Sequence, residues 1–524
     1  MLCILLVIYA GIQVYCIQQL TVNYDEGSFA DYGARILKFQ GDKDIVKFDS
    51  KLPITALNML PRAFEQLCHP GLKRTDSFID VIRGRYISLL VSMLLALVIY
   101  HWSVLLYGKK AGMFGFIIFL LCPNFLAHGI FVSSDIFACL FMTCSFYFLW
   151  RFCTSGRIRM FFFASVAVGM AEISKFSMVH LLILFPLLLA IFYFSGKNDF
   201  NKHPISAKRL AGLFFLFAGV NWLIICAGHL FYGMFIPFNN FQFQSTTFQH
   251  IQAAVHPIGN WLLMPLPAPY IKSLDLVIFL DHIGGGRPGS TIGPMYILGK
   301  SSMDGFWYYY FVAFFFKLPL SVIVFITLAV VAFVTRRKNG SFISNEMFLL
   351  VPSVYFLIYL DFFYSTQIGI RHIIIILPLL YIFIGFFFQL LTSKTERYVC
   401  YGLLVYQCIS VGFYFPHFLP YTNEFIINKK MAYKKIADTN LCYGEGGKFL
   451  LEYQHIHPEA HYLPPAIISG TVIMEVNEML NIDAGTMGKY DWVKGLIPTD
   501  HIHSQYLVFN ISPHLADSLR KVHF

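Results

Sequence analysis

Long apolar runs alternate with short polar segments along most of the chain, a spacing that is typical of membrane helices. A helix needs about 20 predominantly apolar residues to cross the hydrocarbon core of a bilayer. Runs near that length predict eleven membrane-spanning helices, near residues 1–19, 81–105, 112–131, 135–152, 159–174, 176–195, 208–230, 307–334, 345–363, 373–392 and 398–417. The pattern therefore predicts an all-α polytopic membrane protein.

Basic residues fall on one side of this predicted topology. When the helices are threaded alternately, short loops on one side hold lysines and arginines such as Lys109 and Arg336. That side is cytoplasmic by the positive-inside rule. The other side receives three long segments, 20–80, 231–306 and 418–524. We therefore expect a transmembrane domain over 1–417 and a separate domain over 418–524, outside the cytoplasm.

Composition agrees with this class. Hydrophobic residues make up 57% of the chain and charged residues 13%, whereas a soluble domain has about 25% charged residues. Basic cytoplasmic loops account for the net charge of +10, so no nucleic-acid partner is predicted. The run 1–18 lacks a basic start and a cleavage site, which favours a retained helix over a signal peptide. The cysteines form no C-x-x-C pair, and a disulfide between Cys68 and Cys442 is left open.

The long outer segments favour an enzyme over a transporter. Transporters are often built from internal repeats, and no repeat is evident here. In the first segment, residues 27–40 read as an amphipathic helix lying in the interface. In the tail, 431–437 and 448–454 read as helices, and 467–476 and 506–511 read as strands. The tail is therefore expected to be a small α/β domain.

Carboxylates appear where two predicted helices meet the outer surface. Asp25 and Glu26 follow the first helix directly, and Asp135 opens the fourth. An ionisable residue at the mouth of a membrane helix is costly, so Asp135 is a functional candidate. It can also be read as a helix cap, and an Asp-Glu pair by itself can be a solvated loop.

Short motifs across the chain carry a resemblance to a known family. In order along the chain they are Asp25-Glu26, His69-Pro70, Arg85-Tyr86-Ile87-Ser88, Leu106-Tyr107-Gly108, Ala127-His128-Gly129 with Asp135, Ser174-Lys175-Phe176-Ser177, Gly305-Phe306-Trp307-Tyr308-Tyr309-Tyr310-Phe311, Lys317-Leu318-Pro319, Gly369-Ile370-Arg371-His372 with Pro378, Asn423-Glu424 and Asp438-Thr439-Asn440. This ordered set resembles the membrane glycosyltransferases of the protein O-mannosyltransferase type, which have the GT-C fold. The family often continues with Asp-Trp-Gly-Gln, where this chain has Leu441-Cys442-Tyr443-Gly444-Glu445.

The resemblance implies roles for individual residues. Such enzymes take a sugar from a polyprenyl-phosphate carrier, which requires a base for the acceptor, cations for the phosphate and a sugar pocket. By resemblance Asp25 is the base, Glu26 orients a sugar hydroxyl or holds the loop, and Asp135 shapes the sugar site. Candidates for binding substrate or phosphate are His69, Arg85, His128, Lys175, Arg371 and His372, with Lys73 and Arg74 behind them. Lys175 can instead pair with Glu172, and Arg371 can be an interfacial arginine.

No cofactor is expected, because the chain has no ligand spacing of the H-E-x-x-H kind. A divalent cation held by His69 or His128 with Asp25 and Asp135 is left open.

The predicted function is transfer of a sugar from a polyprenyl-phosphate carrier to a hydroxyl of a protein, lipid or glycan. We expect a multi-pass protein of the bacterial inner membrane, with the site and the C-terminus facing the periplasm. A transporter of lipid-linked sugars or polymers is the alternative from another class. An inactive protein of the same fold is the third interpretation.

Overall fold

A computed structural model of the protein describes residues 1–40, 52–69, 77–195, 207–288, 290, 293–336, 341–483, 485 and 487–523. Lys73 and Arg74 lie outside these ranges. The helices are α1 (Leu2–Gln19), α2 (Glu26–Leu37), α3 (Leu60–Cys68), α4 (Ser77–Tyr107), α5 (Lys109–Leu120), α6 (Pro123–His128), α7 (Asp135–Ser155), α8 (Ile158–Glu172), α9 (Leu181–Phe194), α10 (Ala207–Gly228), α11 (Thr246–Val255), α12 (Ala268–Ile283), α13 (Tyr309–Lys317), α14 (Leu320–Arg336), α15 (Ser341–Ser344), α16 (Met347–Phe362), α17 (Leu377–Gln389), α18 (Lys394–Gly412), α19 (Gly447–Ile456), α20 (Val476–Met479) and α21 (Pro513–His523).

Shorter elements complete the described chain. The strands are β1 (Met295–Ile297), β2 (Lys300–Ser302), β3 (His461–Tyr462), β4 (Gly470–Glu475), β5 (Asp500–Ile502) and β6 (Tyr506–Ile511). Short 3-10 helices lie at Pro53–Met59, Phe176–His180, Phe238–Asn240, Ile370–His372, Ile374–Ile376, Lys429–Lys434, Asp438–Asn440 and Asp491–Val493.

The long helix α4 is central to the membrane part of the fold. It packs against α1, α5, α7 and α17, and α7 packs against α8. Side chains at these contacts are large and fully enclosed, as Trp102 on α4 and Phe146 on α7 show. Apolar residues surround such helices on all sides, as expected for segments that lie between other helices and lipid.

The predicted membrane-protein class is confirmed, whereas the count of eleven spans stays a prediction. In the part of the chain that the structure describes, five helices are long and apolar enough to cross a bilayer: Leu2–Gln19, Ile79–Tyr107, Asp135–Ser155, Phe176–Phe194 and Lys208–Gly228. The bent pair α13 and α14 makes a sixth if it is one span, and α16 and α17 are shorter.

Two predicted spans are broken by prolines. The run 307–334 was expected to be one helix, but α13 and α14 meet at an angle of 117°. Leu318 between them is extended, because the residue before a proline disfavours the helical region and Pro319 has no N–H to donate. The run 112–131 likewise divides into α5 and α6, and Pro123 stands in the first turn of α6.

The tail contains the predicted strands at 467–476 and 506–511, as β4 and β6, and the predicted helix at 448–454, as α19. Its four-stranded sheet has the order β3-β4-β6-β5. Strands β3 and β4 are parallel and the other pairs are antiparallel. The helix predicted at 431–437 is instead the 3-10 helix Lys429–Lys434. The domain boundary at 418 stays a prediction.

Residues 418–445 tie the tail to the membrane helices and to the first loop. Lys317 at the end of α13 is buried, and its Nζ donates to the carbonyls of Leu419 (2.5 Å) and Asn440 (2.7 Å). The backbone N–H of Thr21 donates to the Glu445 carbonyl at 2.8 Å. This junction brings the segment Leu441–Glu445 against the loop that carries Asp25.

Candidate active site

A cavity of about 400 Å³ gathers charged residues from distant parts of the chain. Its polar lining includes Asp25, Asp135, Lys175, Arg371 and His372. These are five of the nine candidates predicted from the sequence. Helix α12 and the 3-10 helix at Phe176–His180 supply much of the apolar wall, through Leu274, Val277, Ile278, Leu280, Phe176 and Val179.

Asp25 stands at the start of α2, in a turn organised by Asn23. The Asn23 side-chain oxygen accepts hydrogen bonds from the backbone N–H groups of Asp25 and Glu26, both at 3.0 Å. Such Asx turns are common at helix starts. Asp25 Oδ2 accepts from Arg371 Nη1 at 2.7 Å and from the Tyr443 hydroxyl at 2.5 Å. No described residue donates to Oδ1, and the side chain is 39% exposed.

Glu26 and Arg85 form a buried pair behind this turn. Arg85 Nε donates to Glu26 Oε1 at 2.8 Å and Nη2 donates to Oε2 at 2.5 Å, with both side chains fully enclosed. Glu26 also accepts from the backbone N–H groups of Asn23 and Val132, while Arg85 donates to the Thr21 carbonyl at 2.6 Å. Neither side chain lines the cavity. Arg85 was predicted to contact phosphate, but its guanidinium is enclosed with Glu26 and the Thr21 carbonyl and does not reach the cavity.

Asp135 is the first residue of α7, and Ser134 occupies the cap position. Lys175 Nζ donates to Asp135 Oδ1 at 2.6 Å, and both side chains are at least 86% buried. The alternative pairing of Lys175 with Glu172 is therefore not observed. Glu172 instead accepts from the Tyr270 hydroxyl at 3.1 Å. Lys175 and Asp135 thus form a neutralised pair on one wall of the cavity.

Arg371 owes its position to the turn before it. Gly369 has a φ of +67°, and a Cβ there would lie 2.1 Å from Thr439 Oγ1, so only glycine fits. The Arg371 guanidinium lies 4.8 Å from the centroid of the Tyr443 ring, a cation–π contact. Arg371 Nε is buried and has no hydrogen-bond partner among the described residues. The Nε–H of this guanidinium therefore remains available to a ligand.

His372 lines the same cavity, with its ring 5.7 Å from that of Tyr364. Burial lowers the pKa of His372 well below its usual range, and the charges of Lys175 and Arg371 act in the same direction. The imidazole is therefore neutral, so it can donate or accept a hydrogen bond but adds no charge.

Sequence reasoning missed Tyr443. Burial raises the pKa of its phenol well above 10, so the hydroxyl remains a donor to Asp25. A neighbouring network supports the same turn: the Tyr24 hydroxyl donates to Glu475, which also accepts from Tyr462 at 2.7 Å and from the Cys442 thiol at 2.8 Å. The departure from the family pattern at Leu441–Glu445 was visible in the sequence, but nothing local linked it to Asp25.

The remaining candidates do not line the cavity. His69 is exposed at the end of α3, and His128 is buried against Phe131 with ring centroids 6.0 Å apart. The thiols of Cys68 and Cys442 are free. In the described ranges no group of three or more His, Cys, Asp or Glu residues is arranged to hold a metal ion. The expectation that no cation is required stays a prediction.

Comparisons with known proteins give one matching family model and several solved structures of similar fold. The family model of dolichyl-phosphate-mannose-protein mannosyltransferases matches residues 81–225, from α4 into α10. No curated protein matches the sequence. Among solved structures, ArnT from Cupriavidus metallidurans bound to undecaprenyl phosphate is similar with a TM-score of 0.50 and 12% identity, over 78% of this chain and 64% of that chain. The chain has the GT-C fold.

The predicted GT-C fold is thereby confirmed, and the family resemblance is confirmed over residues 81–225. AglB, the oligosaccharyltransferase from Archaeoglobus fulgidus in complex with an inhibitory peptide and a dolichol-phosphate, is similar with a TM-score of 0.47 and 15% identity, over 86% of this chain and 59% of that chain. The matched part thus amounts to less than two thirds of either structure's chain. At 12% identity the likeness to ArnT establishes the GT-C fold alone.

Proposed function

We propose that the protein is an integral membrane glycosyltransferase that moves a sugar from a polyprenyl-phosphate carrier to a hydroxyl acceptor. The observation that carries this proposal is the cavity in which one carboxylate oxygen of Asp25 is held by Arg371 and Tyr443 while the other has no donor among the described residues. The matching family model and the undecaprenyl phosphate bound to ArnT support the class of donor.

Asp25 acts as the general base in this mechanism. A base must be fixed within hydrogen-bond reach of the proton that it removes. The two bonds to Oδ2 fix the carboxylate plane, and Oδ1 accepts the proton of the acceptor hydroxyl. The acceptor oxygen then forms a bond to the anomeric carbon as the bond from that carbon to the carrier phosphate breaks. This single displacement inverts the anomeric configuration.

Arg371 binds the carrier phosphate through the edge that Asp25 leaves free. Guanidinium groups stay charged and present several planar donors, which suits phosphate oxygens. Arg371 Nε is buried without a partner among the described residues, and a bound phosphate would satisfy it. Lys175 contributes less charge, since its Nζ is neutralised by Asp135 at 2.6 Å. Asp135 and the neutral His372 remain to make hydrogen bonds with the sugar.

The lining of the cavity suits a donor that carries both polar and apolar groups. Its volume of about 400 Å³ lies within the usual range of small-molecule sites, roughly 300–1,000 Å³. The α12 side chains Leu274, Val277 and Ile278 offer an apolar surface for the first isoprene units of the carrier. The charged side chains of Asp25, Asp135, Lys175 and Arg371 line the same cavity.

Several finer assignments belong to this proposal. The acceptor hydroxyl is on a protein, a lipid or a glycan, and transfer requires no metal. The protein is placed in a bacterial inner membrane, with the cavity and the C-terminus on the periplasmic side. Basic residues in the short predicted loops of the other side support that orientation.

Transfer of a labelled sugar tests the proposal directly. Membranes that contain wild type or Asp25→Asn are given polyprenyl-phosphate sugars, and products are separated into protein, lipid and glycan fractions. We expect label with wild type only, in the fraction that identifies the acceptor. The control is Asp31→Asn, which removes an exposed carboxylate on the same helix that pairs with Arg35 at 2.8 Å.

Two outcomes would overturn this assignment. Full transfer by a folded Asp25→Asn protein would exclude Asp25 as the base. Movement of carrier-linked sugar across the bilayer with no transfer in either protein would instead favour the transporter.

A further inference from the structure

The segment 229–267, between α10 and α12, lacks formal charge. No Asp, Glu, Lys or Arg occurs between Leu210 and Ile271. The first part of that stretch lies within the apolar helix α10, but residues 229–267 lie beyond its end. Water-exposed polypeptide usually contains about one charged residue in four. Thirty-nine consecutive residues without one are therefore unusual for a loop that faces water.

The same segment is folded and exposes large apolar side chains. It holds the 3-10 helix Phe238–Asn240 and helix α11, and an antiparallel bridge joins Pro237 to Leu263. Trp261 is 86% exposed, Ile258 59% and Leu263 50%. Exposed apolar patches of this kind mark sites of interaction with a membrane or another protein.

A hydrogen bond to α10 indicates the depth of this patch relative to the membrane. Trp222 lies on α10 six residues before its end at Gly228, about 9 Å along the axis at 1.5 Å per residue. Its indole N–H donates to the Pro265 carbonyl at 2.6 Å. The segment is therefore held beside the last turns of a helix that is long and apolar enough to cross the membrane. Tryptophan is enriched at that depth, where the bilayer meets water.

We propose that residues 229–267 form an interfacial platform that rests in the headgroup region of the bilayer, with Trp261, Ile258 and Leu263 in contact with lipid. The patch continues the lipid-facing surface of α10, on which Trp222 and Leu223 are also exposed. The lack of formal charge over residues 229–267 fits a segment in contact with lipid. Because α12 follows directly, the platform also holds one wall of the cavity at a fixed depth.

Lipid-borne quenchers test this proposal in the full-length protein, without reference to transferase activity. Wild type and Trp261→Phe are reconstituted in phosphatidylcholine vesicles with and without lipids brominated near the carbonyl end of the acyl chain. The difference between the two proteins isolates the fluorescence of Trp261 from that of the other five tryptophans. The phenylalanine variant is expected to fold, since the replaced side chain is exposed.

If the platform rests in the headgroup region, we expect brominated lipid to quench most of the Trp261 fluorescence and aqueous iodide to quench little of it. Quenching by iodide alone would show that the patch faces water and would overturn the proposal. Protection from both quenchers would show burial against another protein chain and would overturn it equally. Trp492→Phe is the control, because Trp492 is 7% exposed within the tail and its signal should resist both quenchers.

Discussion

Replacing Tyr443 by phenylalanine removes one hydroxyl from the candidate site and leaves the ring. The Tyr443 hydroxyl donates to Asp25 Oδ2 at 2.5 Å and accepts from Arg371 Nη1, and the substitution removes both hydrogen bonds. The remaining ring can still pack on the Arg371 guanidinium 4.8 Å away and on Phe131, whose ring centroid is 6.0 Å away. The substitution therefore separates the effect of the hydroxyl on Asp25 and Arg371 from the effect of packing by the ring.

The size of the expected effect follows from the charge and exposure of Asp25. Hydrogen bonds to charged groups contribute about 1.5–3 kcal/mol. Because the Asp25 side chain is 39% exposed, the lower end applies, about 1.5 kcal/mol. At about 1.4 kcal/mol per factor of ten, kcat should fall roughly tenfold. KM for the donor should change little, since the free Nε of Arg371 is not altered.

The assay is transfer of labelled sugar by purified protein in vesicles, with kcat and KM measured separately for donor and acceptor. Tyr421→Phe is a matched control, because Tyr421 is fully buried in the same part of the chain. Its hydroxyl lies 3.1 Å from that of Ser410, a neutral partner outside the cavity. This control should transfer sugar at close to the wild-type rate.

Wild-type kcat in a folded Tyr443→Phe protein would refute the claim that Tyr443 positions Asp25. An equal loss in both tyrosine variants would refute it as well, because the effect would then come from general destabilisation. A large rise in donor KM with unchanged kcat would place Tyr443 in substrate binding.

Two further predictions concern stability. Arg85→Met leaves the fully buried Glu26 carboxylate without its cation, so the free energy of unfolding should fall by about 3–5 kcal/mol. Thermal unfolding in detergent measures this, and a variant that unfolds like wild type but binds donor poorly would restore the phosphate-binding role for Arg85. Burial raises the pKa of Asp438 from 3.8 to about 6, so its folded form binds a proton more tightly than the unfolded chain does. The resulting stability is present below pH 3.8 and is lost as the pH rises through 6. Asp438→Asn should flatten the wild-type decline in unfolding temperature over that window, and parallel profiles would contradict this cause.

The level of the site along the membrane could be predicted from the sequence. Asp25 and Asp135 each stand at the end of an apolar run, and alternate threading places both on one surface. Arg371 and Lys175 follow the same rule. Residues at one surface are candidates to meet, and the structure does bring these four to one cavity.

Which charges pair could not be predicted in the same way. Glu26 and Asp25 are adjacent, yet their side chains point to opposite environments, one buried with Arg85 and one open to the cavity with Arg371. Apolar patterning does not distinguish these pairings, because a carboxylate at a helix start has several cations within reach. The contact of Tyr443 with Asp25 was harder still to predict, because an uncharged residue in a polar tail does not stand out at the end of an apolar run.

The effect of each proline on its helix could not be predicted from the sequence either. Pro186 lies inside α9 and Pro352 inside α16, and both helices continue through them. Pro319, in contrast, separates α13 from α14 at 117°. A proline removes one hydrogen bond in every case. Whether the helix then bends depends on packing partners, here the tail that Lys317 binds immediately before the break.

The backbone hydrogen bond from Tyr24 to Tyr443 has a consequence for the order of biosynthesis. The two residues are more than 400 positions apart. At ribosomal rates of about 5–20 residues per second, roughly 20–80 s pass between them. During that interval the nascent loop carries Asp25 without the phenol that holds it. A chain that stops before Tyr443 therefore lacks both the hydroxyl that contacts Asp25 and the carbonyl that accepts from Tyr24, so its first outer loop is held by fewer contacts.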